Sequence, residues 1–228
     1  MDKNGLLALV GGGEWTEGCT FDPTLLKASG GNDVVVLPTA AAYQHPERVV
    51  LQAANWFEAM GGQVEGLMVV DRASANDPGM AAVVRSARFI YLAGGSPLHL
   101  KSVLKDSATF EALRHAWRGG AVVAGSAAGA MVLTDPMVDP RGGALTVGLG
   151  LVDRLAVVPH FGEGHDDAHG QKLQRTVALA PSGLAVVGLP ERTALLRDGA
   201  GEWSYEGAAP PVVFVNGERT EGLGALQR

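Results

Sequence analysis

Gly120-Ala121-Val122-Val123-Ala124-Gly125-Ser126-Ala127-Ala128-Gly129-Ala130-Met131 is the stretch that decides how this chain folds. The apolar run AVVA delivers the backbone into a cluster of very small residues, and MVL continues at helical spacing. Strand, sharp turn and helix make the layout of a nucleophile elbow, where small neighbours let the backbone turn tightly beneath a residue at strained φ/ψ. The helix that follows aims its N-terminal N–H groups and positive dipole end at any oxyanion formed there. The usual elbow spells G-x-S-x-G. Gly125 and Gly129 have that spacing, but Ala127 stands at the centre and Ser126 sits one place early. The elbow is spelled without its nucleophile.

Outward from this point, short apolar runs alternate with longer mixed segments: LLALV, VVVLP, VEGLMVV, FIYLAG, LAVVPHF, LAVVGLP and TALLR. Unbroken apolar strands separated by helical stretches predict a mostly parallel sheet covered by helices on both faces. His45 to Met60 and Pro97 to Trp117 carry apolar residues at helical spacing and read as covering helices, and Asp77-Pro78 caps the helix containing Met80 to Val84. The segment from Gly199 to Gly217 reads as a C-terminal β-hairpin with an Asn216-Gly217 turn. No repeat or low-complexity linker interrupts the pattern, so residues 1–228 are expected to form a single α/β domain. In such sheets the site lies at the carboxyl ends of the strands, which places the loops after Leu92, Ala124 and Val158 around one pocket.

Composition narrows the function. A net charge of −6 with no basic run argues against nucleic acid. The single Cys19 excludes a disulfide framework and fits a reducing cytosol. The N-terminal apolar run is too short for a signal peptide or a membrane span, so neither membrane nor secretion is expected.

Acyl transfer at an elbow needs a base, an acid that orients it, and donors for the oxyanion. His160 ends the strand-like run Val157-Val158-Pro159 and is placed at the sheet's carboxyl edge, where a base belongs. His45, His99 and His115 lie in expected helices and read as surface residues. His165 and His169, beside Asp166 and Asp167, have the i, i+4 spacing of a metal pair, but no third ligand has a matching motif. They read better as a polar loop entering a helix, and neither metal nor cofactor is expected. The layout assigns the oxyanion donors to the backbone N–H groups of Gly95 and Ala128, with Gly94, Ser96, Gly12 and Ser126 lining the same substrate-binding region. The loop Gly11-Gly12-Gly13 lacks G-x-G-x-x-G and a P-loop Lys, so it reads as a tight turn lining the site rather than a phosphate cradle. The Ser126 hydroxyl, one residue off, is expected to point away from His160.

The elbow resembles that of the peptidase E and cyanophycinase family of serine peptidases, whose pattern is roughly G-[TSW]-S-A-G-A. Gly125, Ala128, Gly129 and Ala130 match, Ser126 takes the variable place and Ala127 takes the nucleophile's place. Five further segments resemble the family in order: Leu9 to Gly13, Val34 to Ala40, Phe89 to Ser96 with its GG-[NDS] turn, Val157 to Phe161 presenting His160, and Gly188 to Leu195 in the form G-[IL]-x-E-x-T-A-L. The resemblance implies a class I glutamine amidotransferase-like fold, a short peptide substrate, a cytoplasmic location, and a homodimer or larger even assembly. It implies Glu191 as the acid that orients His160. Asp139, and behind it Asp135, are alternatives where peptidase E-like members carry an Asp, although Asp-Pro also forms turns.

Two readings of Ala127 follow: an engineered replacement of Ser in an active peptidase, or a naturally inactive relative that binds peptide or regulates. An amidotransferase-like amidase is a weaker third, since that group uses a Cys and Cys19 is far from the elbow. Family members that grip an aspartyl side chain carry a basic residue after the catalytic His. Here His169, Lys172 or Arg175 would have to substitute, so strict Asp-X specificity is not expected. The apolar stretch Ala208 to Val215 offers a strand edge that either a second copy or the chain's own sheet would cover.

Overall fold

Apolar runs become buried strands, and the amphipathic segments between them become the layers that cover those strands. The computed structural model describes residues 4–162 and 166–227, the side chains of 166–169 excepted. β1 (Leu7–Val10) leads through the glycine loop to α1 (Asp22–Ser29), β2 (Asp33–Leu37), α2 (Pro46–Glu58) and β3 (Gln63–Gly66). Next come α3 (Arg72–Ala75), α4 (Pro78–Ser86), β4 (Phe89–Leu92), α5 (Pro97–Leu104) and α6 (Ala108–Arg118). β5 (Val122–Ser126) and α7 (Ala128–Leu133) form the elbow. The short strands β6 (Thr134–Asp135), β7 (Met137–Val138), β8 (Leu145–Thr146) and β9 (Val152–Asp153) precede β10 (Leu155–Val158) and α8 (Asp166–Leu179). The chain ends with β11 (Ala185–Gly188), β12 (Thr193–Arg197), β13 (Trp203–Gly207), β14 (Val212–Val215) and β15 (Glu218–Thr220).

Among the described residues, seven strands form the main sheet in the order β13-β12-β1-β5-β4-β2-β3. β1, β5, β4, β2 and β3 run parallel, and β12 and β13 close one edge antiparallel. Side chains of a strand alternate between faces. Leu7, Leu9, Ile90, Leu92 and Val123 therefore pack with Leu104, Leu113 and Trp117 on one side, while Ala8, Val10, Phe89, Tyr91 and Val122 pack with Phe21, Leu25 and Phe57 on the other. Both faces are buried, as unbroken apolar strands require.

Three details differ from the sequence reading. The two LAVV strands, β10 and β11, lie outside the main sheet and build a second one, β10-β11-β14-β15. The side of β1 open to them is already occupied by β12. The expected helix from Pro97 to Trp117 is two helices, because Asp106 takes φ 54 and the Ser107 hydroxyl caps the second by accepting from the Phe110 N–H at 3.1 Å. The strand in Gly201 to Gly207 pairs with β12, whereas the Asn216-Gly217 turn (φ 54 and 84) joins β14 to β15. The apolar stretch from Ala208 to Val215 is thus taken up by the chain's own second sheet through β11, and the exposed edge is the charged Glu218-Arg219-Thr220. The Asp77 cap stands as read, accepting from the Met80 N–H at 2.9 Å.

One buried carboxyl lies under the glycine loop. Asp22 is fully buried in α1; its Oδ2 accepts from Trp56 Nε1 at 2.8 Å, and its Oδ1 has no partner among the described residues. Burial pushes its pKa from 3.8 up to about 7, opposed by the Trp56 bond and assisted by the charges of Glu14 and Glu206. The folded state then holds a proton that the unfolded chain releases above pH 3.8, so stability is greatest in acid and is lost as pH rises toward 7. Urea midpoints of the unsubstituted chain should fall between pH 5 and pH 8, and Asp22→Asn, which keeps an acceptor for Trp56, should remove most of that fall. An equal fall in both proteins would show that Asp22 is not its cause.

Candidate active site

The elbow is built as the glycines predict. A β-carbon on Gly125 would lie 2.7 Å from the Gly129 carbonyl carbon, and one on Gly129 would lie 2.6 Å from the Leu92 carbonyl oxygen. Without those side chains α7 folds straight back onto β5 and β4. Ala127 sits at the apex with φ 45 and ψ −99, a conformation that costs about 1–3 kcal/mol for a residue with a β-carbon. Its N–H donates to the Val10 carbonyl at 2.9 Å and its carbonyl accepts from the Met131 N–H at 3.0 Å.

His160 also has positive φ, 57, and its N–H donates to the Gly11 carbonyl at 2.9 Å. Arg192, φ 54, donates its N–H to the Gly12 carbonyl at 2.8 Å, which fixes the turn carrying Glu191. In that frame His160 Nδ1 meets Glu191 Oε1 at 2.6 Å, with both side chains about one-third exposed. An ionised carboxylate only accepts, so the proton of a neutral imidazole resides on Nδ1 and the lone pair on Nε2. The glycine loop is the floor of this pair. A β-carbon on Gly12 would strike His160 Cε1 and lie 2.7 Å from Nδ1, and one on Gly13 would lie 3.2 Å from Glu191 Oε2.

Other sequence candidates fall elsewhere. Asp139 is gripped by Arg141, at 2.6 Å to Nη2 and 3.0 Å to Nε, and those bonds hold its carboxyl down at about 2. Asp135 accepts from the Gly148 N–H at 2.8 Å. Neither is the carboxylate on His160 Nδ1; both follow α7 in the strand-and-loop segment and serve its turns. The Gly94 N–H donates to Glu14 Oε1 at 2.9 Å, and the Ser96 hydroxyl caps α5 by accepting from the His99 N–H at 3.3 Å, so these two groups are already engaged. Ser126 is fully buried, and its hydroxyl donates to Glu14 Oε2 at 2.7 Å. Gly95 and Ala128 keep backbone N–H groups suited to an oxyanion. Gly95 has φ 137 and a β-carbon there would strike the Ala40 carbonyl, and the N–H groups of the first turn of α7 have no acceptor within the helix.

The specificity candidates His169, Lys172 and Arg175 lie on α8. Arg175 Nη1 donates to the Gly142 carbonyl at 3.3 Å, and the half-buried Lys172 packs on Gly143. Both tie α8 to the loop at 142–143. His165 and the side chain of His169 lie outside the described residues. The sequence reading missed Glu14. Its signal is an acidic residue placed directly after a glycine loop at the carboxyl end of the first strand.

A sequence model of peptidase family S51 matches residues 7–202. A cyanophycinase of Synechococcus elongatus is 28% identical over 209 residues, which cover 86% of this chain and 64% of that protein. A cyanophycinase of Trichormus variabilis is also 28% identical, over 210 residues, covering 86% of this chain and 69% of the relative. The chain thus spans just under two thirds of the length of the first of these relatives. The crystal structure of a peptidase from an acI-B1 actinobacterium superposes with a TM-score of 0.83 at 25% identity, covering 96% of this chain and 94% of that one. A putative peptidase E protein from Listeria monocytogenes shares the fold, with a TM-score of 0.68 at 17% identity, covering 91% and 99% of the two chains. With elbow, His turn and Glu turn all inside the matched span, the chain belongs to peptidase family S51, among the peptidase E and cyanophycinase-like proteins.

Proposed function

We propose that the protein, with Ser at position 127, is a serine peptidase that hydrolyses short peptides through an acyl-enzyme. The observation that carries this reading is the 2.6 Å contact of His160 Nδ1 with Glu191, on the same loop that anchors the elbow. The Ser hydroxyl attacks the scissile carbonyl carbon as His160 Nε2 takes its proton, and Glu191 stabilises the imidazolium. The N–H groups of Gly95 and Ala128 receive the oxyanion. His160 returns the proton to the leaving amine, and water, deprotonated by the same nitrogen, releases the acyl group.

The chain as it stands has Ala127 and lacks the attacking oxygen, so it binds peptide without turning it over. An engineered replacement of Ser is the reading favoured by the rest of the site, since His160, Glu191, the Gly94-Gly95 turn and the small-residue elbow are all present around Ala127. The alternative, a naturally inactive binding or regulatory homologue, is favoured by Ala127 alone. A cytoplasmic location belongs to the same proposal on the strength of the single, buried Cys19, and a homodimer on the family resemblance. Among the described residues no helix is long and apolar enough to cross a membrane.

Ala127→Ser is expected to raise hydrolysis of a panel of short peptides by at least about a thousandfold and to allow labelling by a serine-directed phosphonate. No gain in either assay would sink the peptidase reading; peptide affinity equal in the two forms would then point to the binding homologue. The acid is testable in that restored protein. Glu191→Gln is expected to lower kcat by about a hundredfold or more, because the amide no longer enforces the tautomer, whereas Asp139→Asn should stay within about threefold. The reverse order would make Asp139 the orienting acid.

A further inference from the structure

Glu14 touches both walls of the reactive position. Its Oε1 accepts from the Gly94 N–H at 2.9 Å, at the end of β4, and its Oε2 accepts from the Ser126 hydroxyl at 2.7 Å, at the end of β5. The β4–β5 ladder has its last pair at Leu92 and Gly125, so beyond that point no strand bond holds the two segments together. A β-carbon on Gly94 would lie 2.8 Å from Glu14 Oε1 and 3.6 Å from the Ala127 β-carbon, so the carboxylate borders the reactive position itself.

We propose that Glu14 is a positioning residue for the oxyanion site, clamping the Gly94-Gly95 turn and the elbow in one register so that the Gly95 and Ala128 N–H groups converge. The inference rests on the peptidase reading for its kinetic consequence, while the clamp itself is a property of the chain as it stands. The Gly94-Gly95 turn is held on its far side by Ser96, whose N–H donates to the Ala40 carbonyl at 2.8 Å. Gly95 has φ 137, open only to glycine, so its peptide groups would swing if one side were released. Glu14 supplies the other side. The Gly94 N–H is thereby taken up by Glu14, which leaves the next N–H, that of Gly95, as the donor this turn offers to an oxyanion. The Ser126 bond ties the same carboxylate to the residue immediately before the apex. A carboxylate beside a developing oxyanion is electrostatically adverse, and its presence is explained by the two bonds it accepts at once.

The charge is therefore incidental and the two-sided bridge is what matters, which separates the conservative variant from the truncation. Gln at position 14 offers one carbonyl oxygen to the Gly94 N–H and one amide N–H to the Ser126 oxygen, so the clamp survives. In the Ala127→Ser background, Glu14→Ala is expected to lower kcat about 10- to 100-fold with KM within about threefold, since the donors are misaimed rather than removed. Glu14→Gln recovers kcat to within about threefold. Ser126→Ala, which cuts only the elbow arm and leaves the loop packed, gives a smaller loss in kcat and serves if Glu14→Ala folds poorly. The clamp is read independently by amide hydrogen exchange in the Ala127 chain: exchange at Gly94 should be faster in Glu14→Ala than in Glu14→Gln. Unaltered Gly94 exchange, equal kcat losses in the Ala and Gln variants, or a loss confined to KM would each overturn the proposal. If Ala127→Ser hydrolyses nothing, the peptidase reading fails while the Gly94 exchange still decides whether Glu14 clamps the turn.

Discussion

Three successive carbonyls at the end of β1 hold the site together. Val10, Gly11 and Gly12 accept from the N–H groups of Ala127, His160 and Arg192, at 2.9, 2.9 and 2.8 Å. Those donors come from three different turns, after β5, after β10 and after β11, and all three residues sit at positive φ, 45, 57 and 54. A residue with a β-carbon in that region is strained, and the strain persists only where the surroundings over-determine it. Here three consecutive residues at the end of β1 and in its glycine loop fix all three, and the side chains that matter are carried on or next to these strained residues.

That arrangement explains why the loop is glycine. A β-carbon at Gly11 would run into the Pro190 carbonyl, and one at Gly12 into the His160 ring. The backbone of β1 must come this close because the site lies on a seam. The elbow belongs to the main sheet, whereas His160 follows a strand of the second sheet and Glu191 lies between β11 of the second sheet and β12 of the first. Neither sheet contains the whole site, and hydrogen bonds within either sheet cannot set the distance between its parts. The glycine loop spans the seam and sets it.

The sequence made the main-sheet half of this legible. An unbroken apolar strand followed by Gly125, Ala128 and Gly129 has few alternatives to an elbow, because any larger side chain would collide with Leu92 or with α7 itself. His160 and Glu191 were legible through their motifs. The second sheet was not, since LAVV reads the same whether its neighbour is β1 or another LAVV strand; pairing depends on which edge is already filled, here by β12. Asp139 shows the limit of a motif: its place in the sequence suits an orienting acid, whereas in the structure Arg141, two residues on, pairs with it locally. Glu14 escaped notice because its role lies in contacts with residues 80 and 112 positions away, which no local pattern encodes.

The frame and the chemistry are separable in this site. Ala127 holds its φ of 45 through its own N–H on Val10 and its carbonyl on Met131, so the backbone imposes the elbow whether or not an oxygen is present on the side chain. With Ala at the apex, the His160–Glu191 pair and the glycine loop stand in place around it. Ser126 cannot take over. It precedes the apex, faces the other side of the strand and is buried, with its hydroxyl bonded to Glu14 at 2.7 Å. To reach toward His160 it would have to abandon its bond to the partly buried Glu14 carboxylate, a hydrogen bond worth about 1 kcal/mol. The Ser126 hydroxyl therefore belongs to the contacts that tie the end of β5 to Glu14, one residue before the apex of the elbow.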